Sequence, residues 1–215
     1  MKELTAPHLF DLSTFRHATI FQGLNYVWEV LAEIETFLNK QKLGTIEGQV
    51  LPGAFLVDPH LISIGQGTIV EPGAYIKGPC LIGKNCSIRH GAYIRGNLIT
   101  GDNCVIGHDS EIKNSLFLDG AHAPHFAYVG DSVLGNRVNL GAGTVCANLR
   151  FDRKNVVVHY LGQTIETGRH KFGAIFGDDS QTGCNSVTNP GTIFDKNVYC
   201  LPTTNIGGVV SKPRL

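Results

Sequence analysis

The stretch from Ile64 to Ile94 reads IGQGTIVEPGAYIKGPCLIGKNCSIRHGAYI, and its apolar residues fall at Ile64, Val70, Ile76, Ile82, Ile88 and Ile94. A step of six matches neither the 3.6 of a helix nor the 2 of a strand. It matches a chain wound as a triangular prism, with six residues per side and three sides per coil. The beat continues through Thr100, Ile106, Ile112 and Leu118. Residues 18 apart then lie one above the other, about 4.8 Å apart, as neighbouring strands do.

Finer features repeat with the beat. Gly65, Gly83, Gly101 and Gly107 each follow an apolar position, where tight or positive-φ turns are expected. Thr68, Ala74, Cys80, Cys86, Ala92, Cys104 and Ser110 supply small side chains for a narrow interior. Near Pro124 the pattern slips by one residue, and it resumes at Val129, Leu134 and Leu140. A weaker beat runs through Phe176, Thr182, Thr188, Phe194 and Cys200. About eight coils are expected between Ile46 and Ile206, as an all-β hexapeptide-repeat β-helix over residues 45–210.

The formal net charge is zero, which gives no support for nucleic-acid or membrane binding. No segment reaches the roughly 20 apolar residues of a membrane span. The start, with Glu3, Pro7 and Asp11, does not read as a signal peptide. Cys80, Cys86 and Cys104 occupy interior slots, Cys146 and Cys200 fall on the beat, and no CxxC pair occurs. Buried thiols in a cytoplasmic protein are expected.

Residues 1–44 do not follow the beat. Val27, Leu31, Ile34 and Leu38 recur at helical spacing, predicting one helix over about 26–42 that ends before Gly44. A shorter helical or irregular piece is expected around Leu9–Phe15. The apolar face of the helix is expected to cover the coil or a neighbouring subunit. The beat breaks again over about 149–170, where a projecting hairpin or loop is predicted on the binding face. A basic tail, 211–215, closes the chain.

Lys77, Arg95 and Lys113 are spaced by 18 and should stack on one edge. Two unit charges about 5 Å apart repel by about 3 kcal/mol at an effective dielectric near 20. Such a column invites an anion, and a phosphate suits Arg and Lys together; splaying of the side chains into solvent is the alternative. His125 and Tyr128 sit at the slip, and His is the usual general base near neutral pH. His122 competes for that role. His90 and His108 should stack, but no third ligand at matching spacing completes a metal site.

These residues resemble a known family. The run Lys113…His125-Phe126-Ala127-Tyr128-Val129-Gly130-Asp131, then Asn139-Leu140-Gly141-Ala142-Gly143-Thr144, then Asn148 and Lys171…Gly177-Asp178-Asp179 resembles the acetyltransferase half of the bifunctional enzymes that make UDP-N-acetylglucosamine. Related sugar-phosphate nucleotidylyltransferases share the likeness. The resemblance implies a left-handed parallel β-helix, a homotrimer with sites between subunits, and acetyl-CoA as donor. It implies His125 as general base and Arg95, Lys113 and Lys171 as cations for an amino-sugar phosphate. Tyr128 and Asn139 would complete that pocket, and Ala142, Asn148 and Cys184 would meet the coenzyme.

Several positions depart from the pattern. No nucleotidyltransferase motif precedes the β-helix, so uridylyl transfer is not expected of this chain, and a separate nucleotidyltransferase is a candidate partner. Leu149 replaces an aromatic residue and Cys184 a serine. Lys212 or Arg214 would have to serve as the basic contact to coenzyme phosphate. Glucosamine and galactosamine phosphates both suit the polar set. The alternatives are an acyltransferase with another acceptor or an acyl-carrier-protein donor, a zinc hydrolase, and a non-catalytic trimeric partner.

Overall fold

A computed structural model describes residues 1–212; Arg214 and the end of the tail lie outside the described residues. Three parallel sheets of eight strands each form the sides of a prism, a left-handed parallel β-solenoid of about nine turns. A lone parallel bridge, Ile46↔Ile64, begins the winding, so the third sheet carries one rung more than the eight coils expected. Register follows the 18-residue step: Tyr75 pairs with Tyr93 and Gln181 with Tyr199. Across the insertion the step lengthens, and Val133 pairs with Ile175.

The interior is a single apolar column. Ile64, Val70, Ile76, Ile82, Ile88 and Ile94 are all buried, with Ala74, Cys80, Cys86, Ala92 and Cys104 between them. All six cysteines are free, and only Cys184 is exposed. Burial raises the Cys80 and Cys146 thiols to about 12.

Two details of the beat differ from the sequence reading. The inward residues are Phe117 and Ala123, not Leu118 and Pro124. Two steps of five therefore occur, Ile112 to Phe117 and Val129 to Leu134. Both fall at the corner between the second and third sheets, where Asn114 and Asp131 adopt left-handed φ of 44° and 50°. Leu118 is buried too, but from outside, under the N-terminal segment. The early glycines also serve another purpose than expected. Gly65, Gly83, Gly101 and Gly107 are not among the positive-φ residues. They let successive coils approach: a Cβ on Gly107 would lie 1.6 Å from the Pro124 carbonyl oxygen.

The outer face of the third sheet is covered by the chain itself. Helix α1 (Ala6–Leu9) and helix α2 (Val30–Asn39) are joined by 3-10 turns at Ala18–Phe21 and Val27–Glu29. The predicted long helix is thus split, and the Leu9–Phe15 piece is helical only at Leu9. The Glu29 carboxylate accepts from the Asn25 and Tyr26 amides at 2.8 and 3.2 Å, which closes the entry to the α2 segment. Leu31, Ile34 and Leu38 pack on Ile99, Leu116, Val133, Ile175 and Ile193. Asp178, 2% exposed, holds the segment in place: its carboxylate accepts from the backbone N–H of Asp11 (2.6 Å) and of Asn136 (2.7 Å).

The insertion is a hairpin, Val157–Tyr160 against Gln163–Glu166. Leu161 and Gly162 at its tip have φ of 49° and 75°, the left-handed pair of a tight hairpin turn. It does not project freely. Val156 and Val158 are buried in the cluster under the N-terminal segment. The first and second sheets keep their outer faces open.

Candidate active site

The expected cation column exists. Tyr93 pairs with Tyr75 and Glu111 with Tyr93, which places Lys77, Arg95 and Lys113 at one end of the second sheet. The column is not unpaired, however. The Arg95 guanidinium donates to Glu111 Oε1 at 2.7 Å, and this bond raises its pKa. Lys113 Nζ donates to Asp131 Oδ2 at 3.1 Å. Lys77 makes no ion pair among the described residues. Carboxylates from the following coil relieve the repulsion that the 18-residue spacing creates.

Around Lys113 the chain builds a shallow cradle. The next rung of the column is Gly130, opposite Lys113. A Cβ there would meet Tyr128 Oη at 2.6 Å and Asn148 Nδ2 at 2.7 Å. Glycine thus lets the Tyr128 side chain lean across the sheet. Asn148 Nδ2 donates to Tyr128 Oη at 3.2 Å and to Asp131 Oδ2 at 2.7 Å. Asn114 Nδ2 donates to Asp131 Oδ1 at 2.9 Å. Burial raises the Tyr128 phenol, against the opposing effect of the Asn148 amide. Lys171 is exposed, and its neighbour Phe172 donates its amide to the Asn148 carbonyl at 3.0 Å, so Lys171 emerges beside the cradle.

A second group stands at the corner where the first sheet passes into the second. His108 pairs with His125. The Gly143 amide donates to the His125 carbonyl, the Asn185 amide to that of Ala142 and the Thr203 amide to that of Cys184. One corner therefore carries His90, His108, His125, Ala142 and Cys184 in vertical order. The His90 and His108 rings stack at 5.7 Å, and their Nδ1 atoms face the carbonyls of Pro72 and His90. The exposed Phe126 meets His108 edge-on at 5.2 Å. The His125 ring makes no hydrogen bond among the described residues, which leaves both its nitrogens open. Among those residues no three His, Cys, Asp or Glu side chains converge as metal ligands.

Asn139 pairs with His122 on the first sheet, on the far side of the His125 corner from Lys113. One copy thus brings together Lys113, Tyr128, Asn148 and Lys171, with Arg95 one coil away. His125, Ala142 and Cys184 form a separate set with Asn139 on the adjacent side. Asp131, Asn114, Glu111 and Gly130 belong to the site and were not singled out from the sequence. Their signal was present in the one-residue slip and in the acids 16 positions after Arg95 and 18 after Lys113.

The chain is similar to several known proteins. The sequence profile described as GMPPB C-terminal domain matches residues 76–210. A bifunctional sugar-1-phosphate nucleotidylyltransferase/acetyltransferase of Sulfurisphaera tokodaii is 49% identical over 77 residues, covering 36% of this chain and 19% of the relative. A bifunctional protein GlmU of Methanococcus maripaludis is 42% identical over 183 residues, covering 82% of this chain and 42% of the relative. The chain spans less than half the length of these curated relatives. The crystal structure of Arabidopsis UDP-N-acetylglucosamine acyltransferase aligns with a TM-score of 0.47 and 14% identity, over 77% of this chain and 68% of that one. Because the profile match runs over more than half of the residues, the chain belongs to the GMPPB C-terminal domain family.

Proposed function

We propose that the chain is an acetyltransferase domain that acts in the cytoplasm. It moves an acetyl group from acetyl-CoA to the amine of glucosamine 1-phosphate and so supplies UDP-N-acetylglucosamine synthesis. The observation that carries this reading is the cradle at Lys113, with Arg95 stacked one coil away and His125, whose ring makes no hydrogen bond among the described residues, at the corner where the first sheet passes into the second. The amino sugar arrives largely as an ammonium ion, which is no nucleophile. His125 removes a proton, and the free amine attacks the thioester carbonyl. As the tetrahedral intermediate collapses, the C–S bond breaks and the coenzyme A thiolate leaves, taking up a proton to be released as the thiol. Arg95, Lys113 and Lys171 hold the phosphate, and Tyr128 and Asn139 hold the sugar. Ala142, Asn148 and Cys184 meet the coenzyme.

The geometry favours a site shared between copies. His125 and Gly130, the rung opposite Lys113, are separated by five residues that turn the corner at Phe126 and run along the second sheet, a span of at most roughly 16 Å. The Lys113 ammonium turns further away, toward Asp131. Amine and phosphate of the acceptor sit on adjacent ring carbons. His125 of one copy and Lys113 of another meet such a molecule when the open second sheets face each other, as in a homotrimer.

Thiol release from acetyl-CoA, measured with a panel of amino-sugar phosphates, tests the reading. Turnover with glucosamine 1-phosphate above the other amines is expected. No release with any of them contradicts it. A second reading, a non-catalytic partner of a separate nucleotidyltransferase, draws on the carboxylates already paired with Arg95 and Lys113, and that negative result would favour it.

A further inference from the structure

Asp131 is 3% exposed, and each side chain that reaches its carboxylate is a donor. Lys113 Nζ and Asn148 Nδ2 share Oδ2, and Asn114 Nδ2 takes Oδ1. An ionised carboxylate only accepts. Asn148 must therefore turn its NH2 group inward, one hydrogen toward Asp131 and the other toward Tyr128 Oη. Two consequences reach the surface of the cradle. The Asn148 side-chain oxygen Oδ1, which meets no donor among the described residues, is left as an acceptor. Tyr128, having accepted, keeps its own O–H to donate. Asn114 also donates to the Leu31 carbonyl of α2 at 3.4 Å, so the N-terminal segment braces the same network.

We propose that Asp131 is a positioning residue that sets the hydrogen-bond polarity of the cradle. A ligand there meets an acceptor at Asn148 and a donor at Tyr128. This inference rests on the coenzyme contact proposed above for Asn148. The pantetheine arm of coenzyme A carries amide N–H groups that suit such an acceptor.

Replacing Asp131 by Asn keeps the shape and changes the polarity. The new amide must aim its NH2 either at Asn114 or at Lys113 and Asn148, where donors already stand. Asn148 is then free to flip and present NH2 outward. Exchanging the two groups, Asp131→Asn with Asn148→Asp, returns an acceptor oxygen to the surface and gives the inward NH2 a carboxylate.

Calorimetric titration of coenzyme A onto the full chain and its variants tests this. Asp131→Asn is expected to weaken binding at least about tenfold, and the exchanged pair to recover to within about threefold of the parent. Asn148→Ala leaves the Asp131–Lys113 pair in place and is expected to show a similar loss, which keeps the test open if Asp131→Asn fails to fold. Unchanged binding in Asp131→Asn or in Asn148→Ala overturns the inference. So does an exchanged pair as weak as Asp131→Asn, because a merely structural carboxylate would not be replaced by moving it to position 148. A parent chain that binds no coenzyme A overturns the donor reading itself, and this inference with it.

Discussion

His125 stands at a corner with no hydrogen bond to its ring among the described residues, while its neighbours in the column, His90 and His108, are tied to backbone carbonyls. That difference supports the base role proposed for it. His125→Ala is expected to lower kcat by at least about 100-fold in the thiol-release assay, with the KM for acetyl-CoA changed far less. His17 behaves differently. Its ring lies between Phe15 and Phe37 at 5.7 and 5.9 Å, and burial, with some help from Arg16, lowers its pKa from 6.5 to about 4. The unfolded chain takes up this proton below pH 6.5, whereas the folded chain resists until about pH 4. Stability from this residue is thus full above pH 6.5 and falls as the pH drops toward 4, by on the order of 2 kcal/mol. Urea unfolding at pH 7 and at pH 4.5 checks it: His17→Phe should flatten that part of the profile, and parallel losses in both proteins would remove the assignment.

At the scale of elements, stacking of coils is the dominant constraint. Gly107 sits directly against Pro124, one residue before His125. Gly107→Ala has no free space, and the coil that carries His125 must shift. A loss of several kcal/mol is expected, seen as a lowered Tm and lost activity together, whereas Gly23→Ala, with no heavy atom within 4 Å of the new Cβ, should show only the cost of its positive φ. Much of this level was legible in the residues. The beat of six predicted the sheets, the interior cysteines and the stacking of Arg95 with Lys113. It misassigned Leu118 and Pro124, because the third sheet is buried on both faces. Apolar residues there no longer mark which side is inward. The partners of Arg95 and Lys113 were hidden for a related reason. They come from the next coil. Glu111 is displaced by two positions from the 18-residue step, and Asp131, though 18 residues after Lys113, sits one place beyond its rung because the corner is short, so the reading of an unpaired column passed over both. The split of the N-terminal helix was beyond periodicity, which continues unbroken through the 3-10 turn at Val27–Glu29.

For the molecule as a whole, the third sheet is closed by its own N-terminal segment, while the first and second sheets stay open with Ile69, Phe55, Tyr93 and Val145 among the exposed apolar residues. One group of candidate residues lies where the second sheet passes into the third, the other at the corner between the first sheet and the second. An assembly in which His125 of one copy faces Lys113 of another accounts for both facts. Subunit mixing tests it most directly. Chains carrying His125→Ala and chains carrying Lys113→Ala, each inactive alone, would be unfolded together, refolded and assayed for thiol release from acetyl-CoA with glucosamine 1-phosphate. Random mixing leaves about a quarter of the shared sites with both residues intact, so recovery to about a quarter of the parent activity is predicted. A mixture no more active than its two components would contradict the account.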